Sequence, residues 1–292
     1  MTPVTATLKI ALPHTALLGV AESWIFKHAG DLQWQNICSE LGATAITSDR
    51  LLSEDGVSIY PAFLAVQIRF ASAIDGIGLD DELVASTELG RYGRGIFEGT
   101  TSYSCCKNSI TLKLLNTFVG KEGNVLRPVL PRALRSCKAG NLKEIPSLLK
   151  LTRQLRKPDR GCYRFQDVDL SLNNGNFRHS RHYTPSPYVD FNSVGLLYFA
   201  NFPAIADTAE RLLVHEHAPE LVERDWALET AVVARDIYFY RNIELGDNVV
   251  VELCTLKSSQ DQALTHVVMR RQSDNEIMAD VFTKKRRRQA SQ

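Results

Sequence analysis

The chain has 292 residues, 44% of them hydrophobic and 23% charged, values of a folded globular protein that exclude a disordered one. Its 34 Lys and Arg almost cancel its 33 Asp and Glu, so no long-range field points to nucleic acid or a membrane surface. No apolar stretch approaches the ~20 residues that span a bilayer, residues 1–18 lack a basic region followed by an apolar run, and six cysteines without CxxC spacing read as reduced thiols. The expectation is a cytoplasmic protein.

In chain order, residues 21–41 place Trp24, Ile25, His28, Leu32 and Ile37 at helical spacings, with Gly42 as a stop. Strand-like runs follow at 58–70, 82–89, 95–106 and 109–119, separated by turn residues, including the 90–95 run GRYGRG, which reads as a hairpin turn before it reads as an anion contact. Residues 126–159 hold four prolines among Lys and Arg and read as a linker with a short helix at 147–156. The second half repeats the grammar, with a helix predicted over 194–214 and strands over 231–240, 248–256, 263–271 and 276–284. The joint at 78–84 looks like the one at 244–250. The Lys284–Arg288 basic run is expected to be a frayed, solvated tail. The boundaries predicted are a first unit at 1–125, the linker at 126–160, a second unit at 161–284 and a tail at 285–292. Each unit is an α+β layer, a long apolar helix wrapped by an antiparallel sheet, and two copies can pair their sheet edges.

Residues 188–202, YVDFNSVGLLYFANF, resemble the signature of hot-dog acyl-thioester enzymes, in which an Asp-x-Asp-x-x-Gly turn opens the central helix. Residues 21–34 (AESWIFKHAGDLQW), 59–63 (IYPAF) and 235–247 (RDIYFYRNIELGD) resemble a narrower family, the double-hot-dog acyltransferase/decarboxylases of polyketide biosynthesis typified by the leinamycin-pathway enzyme. The resemblance covers most of the chain except linker and tail. It implies a double hot dog with two long central helices. It also implies a reaction in which methylmalonyl-CoA, or malonyl-CoA, loses carbon dioxide and its propionyl or acetyl group passes to the pantetheine thiol of an acyl carrier protein. No bound cofactor is implied beyond the coenzyme A ester and the partner's phosphopantetheine arm, and the chain is expected to be a monomer or homodimer.

Within that resemblance the acyl oxygen meets free amides at the start of the second helix, where Gly195 permits close approach and the helix dipole favours a developing enolate or oxyanion. Asn192 stands where hydrolytic relatives carry a carboxylate. An amide donates a hydrogen bond but cannot activate water, which favours transfer over hydrolysis; capping its own turn is an equal alternative. Asp190 is either a substrate-binding carboxylate or a structural turn residue. Tyr60 matches the family's active-site tyrosine, while on composition alone it is a half-buried aromatic on a strand. Ser23, beside Glu22, is assigned to substrate binding or to ordinary helix capping. His179, His182, His215 and His217 lack the spacing of a metal site, and no metal is predicted. The alternatives are a hot-dog thioesterase or dehydratase, and a non-catalytic acyl-carrier-binding module.

Overall fold

Alternating burial along the strands and apolar stripes on the helices generate one continuous sheet with elements packed on both faces. The structure, a computed structural model, describes residues 4–41, 51–53, 55–105, 108–122, 125–132, 140–142, 144–157 and 159–288. In order these form β1 (Val4–Lys9), the small hairpin β2 (Thr15–Ala16) and β3 (Gly19–Val20), α1 (Glu22–Glu40), β4 (Ile59–Phe70), β5 (Glu82–Tyr92), β6 (Ile96–Ser104), β7 (Ser109–Glu122), β8 (Val125–Pro128) and β9 (Gly140–Asn141). There follow α2 (Ser147–Leu155), β10 (Cys162–Phe165), β11 (Val168–Ser171), β12 (His179–Tyr183), α3 (Phe202–His217), α4 (Trp226–Glu229), β13 (Thr230–Phe239), β14 (Val249–Ser258), β15 (Gln262–Arg271) and β16 (Ile277–Arg287).

The main sheet runs β1-β5-β6-β7-β4-β13-β16-β15-β14-β12, with β8 on β7 and β9 on β5. Read outward from the centre, each half has the same connectivity, and the antiparallel pair β4–β13 joins them, with Ala65 opposite Tyr238 and Arg69 opposite Ala234. The duplication legible in the sequence is therefore closed at the two strand edges that would otherwise stay open. One face packs on α1 and α3, whose Ile25, Phe26, Ile205 and Leu213 share a core with Val66, Ile68, Ile237 and Val251. The other face, at the β4–β13 junction, is covered by α2 and the β10–β11 hairpin, through Leu148, Leu149, Leu155, Tyr163 and Phe165. The linker is thus a structural cover for the junction, which its proline-rich composition does not announce.

Two expectations are corrected. The second helix begins at Phe202, not at 194: Gly195 takes φ +79°, and the Asn192 side-chain oxygen accepts from the amides of Val194 (3.1 Å) and Leu196 (3.0 Å). Those bonds offer the backbone an alternative to the helical ladder, and Pro203, which has no N–H to give, sits in the first turn. The basic run is no tail either. β16 extends to Arg287; Lys285 is buried, Arg287 lies over the Trp226 ring, and Arg286 and Arg288 both reach Asp75. Asp75→Ala is expected to lower stability by no more than ~1 kcal/mol, because these pairs remain near solvent; a urea titration showing a loss several times larger would mean that Asp75 anchors the strand end in some further way.

Candidate active site at the seam between the two halves

The segment from Asp190 to Phe199 is an ordered loop, not a helix start. Asp190 is buried, and its carboxylate accepts from the Tyr183 hydroxyl (2.8 Å) and the Ser186 amide (2.8 Å), with the Asn201 amide at 3.4 Å. Its carbonyl accepts from the Tyr198 amide at 2.7 Å, and the Leu197 amide donates to Asn242 Oδ1 at 2.8 Å. Gly195 N donates to the Asn192 carbonyl and Asn192 N to the Leu196 carbonyl, both at 2.9 Å. The amides at 192 and 194–198 are therefore committed within the protein. The oxyanion donors expected at this turn are occupied, and Asp190 serves as the turn's own acceptor.

What the loop does is reach across to the first half. Phe199 stacks on Phe63 of β4 with ring centroids 3.9 Å apart and faces Phe26 of α1 at 6.3 Å. Lys27 lies 5.5 Å from the Tyr198 ring. Gly30 allows the approach, since a Cβ there would stand 2.9 Å from the tip of the Phe199 ring. Glu22, Phe26 and Gly30 are spaced four apart, so they form one stripe along α1. Its last two members meet Phe199, while the first, Glu22, meets the charged face of the second half.

There Glu22 Oε1 stands 3.2 Å from Arg235 Nε. Arg235, fully buried on β13, donates to both oxygens of Asp207 (3.0 and 2.8 Å) and to the Pro203 carbonyl (3.2 Å). Lys285 donates to Asp207 (2.9 Å) and to Glu210 (2.7 Å), and Glu210 also accepts from the Trp226 indole (2.6 Å) and the Thr265 hydroxyl (2.9 Å). Three carboxylates share two cations. Burial raises the Glu22 carboxyl to about 7, although Arg235 pulls the other way. Burial also works to raise Asp207, but Arg235 and Lys285 outweigh it and hold that group at about 2. Asp207, whose side chain is 35% exposed, is the member of the cluster with the most access to solvent. At neutral pH the seam thus carries one carboxyl poised to exchange a proton and another fixed as an anion, the pattern used for acid–base division of labour.

The sequence-predicted residues scatter around this seam. Asn192 and Gly195 lie in the loop that crosses to α1, and Ser23, half-buried, follows Glu22 in the first turn of α1. Tyr60 is not brought to them. It pairs with Val119 on β7, out of phase with Ile59 and Phe118, which pack in the core with α1, so strand alternation puts it on the linker face of the sheet. Asp207, Glu210, Arg235 and Lys285 were not expected. The signal was an arginine inside the apolar run AVVARDIYF and two acids one turn apart on a predicted buried helix. His28 is also placed unexpectedly, with Nδ1 2.9 Å from the Tyr103 hydroxyl and its basicity lowered by burial. Among the described residues no group of His, Cys, Asp and Glu could hold a metal ion, and no helix is long and apolar enough to cross a membrane.

No family model matches the sequence, and no curated protein matches it. Solved structures do. A Lactobacillus plantarum protein provisionally assigned as an oleoyl thioesterase superposes with a TM-score of 0.66 at 13% identity, over 98% of this chain and 96% of its own. The 12:0-ACP thioesterase of Umbellularia californica gives 0.65 at 9% identity, over 98% and 94%. An acyl-ACP thioesterase of Bacteroides thetaiotaomicron gives 0.58 at 11% identity, over 97% of both chains. At such identities the likeness speaks for architecture alone, and the architecture is the hot-dog fold with a large antiparallel sheet.

Proposed function

We propose that this protein is an enzyme of acyl thioesters carried by coenzyme A or an acyl carrier protein, built as two fused hot-dog units with a helix at the centre of each. The observation that carries the reading is the Glu22–Arg235–Asp207 arrangement at the seam, two carboxylates set on one buried guanidinium, with burial raising Glu22 and the two cations lowering Asp207. The leading reaction is thioester hydrolysis, the activity for which the Umbellularia californica and Bacteroides thetaiotaomicron relatives are named. Glu22, ionised as pH rises through 7, takes a proton from the attacking water and returns it to the departing thiolate, while Asp207 keeps Arg235 and Lys285 in place. The Asp190–Phe199 loop supplies an apolar wall through Phe199 and Tyr198.

A second reading keeps the substrate class and changes the acceptor: decarboxylation of methylmalonyl-CoA and transfer of propionyl to a carrier protein, as in polyketide assembly. Asn192 favours it, since an amide stands where hydrolysis would need a carboxylate, and the nearby Asp190 carboxylate is taken up by Tyr183 and Ser186. Tyr60, the acid or acyl acceptor this reading calls for, stands on the opposite, linker face of the sheet from that turn, which weighs against it. Incubating the protein with methylmalonyl-CoA or a saturated acyl-CoA, with and without a pantetheinylated carrier, separates the two by intact mass. Free acid and coenzyme A support hydrolysis; a propionylated carrier that Tyr60→Phe no longer yields supports transfer. Intact thioester in every arm removes both.

A further inference from the structure

The linker face carries a polar feature that neither reaction uses. A cavity of about 520 Å³ opens beside the end of α2, lined by Lys150, Arg153, Gln154, Lys157, Asp159 and Arg160 with Gly161. Leu148, Leu149, Thr152 and Leu155 turn one stripe of α2 into the core, so the helical period leaves Lys150 and Arg153 on the exposed stripe, and the exposed Lys157 follows just past the helix end. Lys150, Arg153 and Lys157 thus gather beside one carboxylate, Asp159, in a chain whose net charge is only +1, while the fourth cation, Arg160, is paired with Asp280. Gathering like charges in a concavity is unfavourable unless an anion fills it.

Arg160 differs from the other three. It is nine-tenths buried, its Nε donates to the Leu155 carbonyl at 3.2 Å, its guanidinium pairs with Asp280, and it lies 5.9 Å from the Tyr240 ring. Asp280 is held in turn by the Tyr240 hydroxyl (2.6 Å) and His266 Nε2 (2.8 Å). Burial and Arg160 together lower His266 to about 3, so it stays neutral and leaves the charge of Asp280 to Arg160. Arg160 is therefore a fixed wall of the groove whose charge Asp280 balances, and the cations that face a ligand are Lys150, Arg153 and Lys157. Gly161 has φ +57° and open space where a Cβ would project, which leaves its backbone accessible.

We infer that this groove binds the diphosphate group of a small molecule. The volume falls in the range of small-ligand sites, roughly 300–1,000 Å³, and guanidinium forks match phosphate oxygens in pairs. Among the described residues no aromatic side chain lines the groove, so the phosphates are recognised rather than a base. Coenzyme A and a free nucleoside diphosphate both offer that chemistry, and the inference does not depend on the thioester reading, because it is read as binding and not as turnover.

Isothermal titration of the full chain with inorganic pyrophosphate, coenzyme A and ADP tests it. Pyrophosphate and at least one of the two esters should bind, more weakly as salt is raised. The K150A/R153A/K157A variant should weaken that binding at least a hundredfold, each lost cation contributing roughly tenfold, with an unchanged melting temperature; R153E should weaken it further than R153A. Coenzyme A without ADP makes the groove a substrate handle, and ADP without coenzyme A makes it an effector site. No binding of pyrophosphate, affinity unchanged in the triple variant, or response only to an acidic protein would overturn the inference.

Discussion

Arg235→Met is expected to destabilise the protein by roughly 3–5 kcal/mol, the range for removing one partner of a buried ion pair. The side chain has no solvent exposure and touches both Glu22 of the first half and Asp207 and Pro203 of the second. Without it, three carboxylates are left to Lys285. Methionine keeps most of the volume, so the loss reports charge and hydrogen bonding more than a cavity. Adding Glu22→Gln to Arg235→Met should recover part of the loss, because one of the uncompensated acids is gone, and the non-additivity measures their coupling. Urea unfolding of the four proteins of this cycle is the measurement. A loss below ~1 kcal/mol for the single variant would mean that water already screens the cluster and that the seam is no dry site.

Glu22→Gln should separate stability from function. The folded protein holds this proton up to about pH 7, whereas an unfolded chain releases it near 4.5. Between those values the unfolded state binds fewer protons, so ionisation works against folding and stability falls as pH rises through the window. Glutamine removes that dependence. The variant should match the parent near pH 4.5 and exceed it above pH 7 by at most ~3 kcal/mol, the linkage equivalent of the shift. Asp207 acts in the opposite sense: held at about 2, it adds stability that is present above its ordinary value and lost as pH falls towards 2. If Glu22 also handles the proton of thioester cleavage, the same variant loses at least ~100-fold in turnover while gaining stability. Melting curves from pH 4.5 to 8.5, beside rates on an acyl-CoA, check both. A variant that is less stable at pH 8 would remove the raised proton affinity of Glu22, and one that turns over normally would remove Glu22 from the reaction.

Much of this architecture was legible because local patterns and tertiary packing agree. The predicted helix at 21–41 is observed as Glu22–Glu40, the linker helix at 147–156 as Ser147–Leu155, and the strand predicted over 109–119 begins as read and extends to Glu122. The errors fall where side chains overrode the pattern. Asn192 Oδ1 accepts from Val194 and Leu196 and the Asp190 carbonyl from Tyr198, which fixes this stretch as a turn, so apolar spacing alone set that helix too early. The Lys284–Arg288 run reads as solvated by composition, yet Asp75, Asp207, Glu210 and Glu229, all distant in sequence, draw it into the sheet.

By itself the sequence determined the duplicated helix-and-sheet units, since periodicity and turn residues act over a few neighbours and need no partner to be read. Only the tertiary structure decided which charges meet. Glu22 and Arg235 are separated by most of the chain and come together because β4 and β13 pair edge to edge, bringing α1 and α3 onto one face. The energy of a buried charge depends on what surrounds it in space, and no local pattern records that.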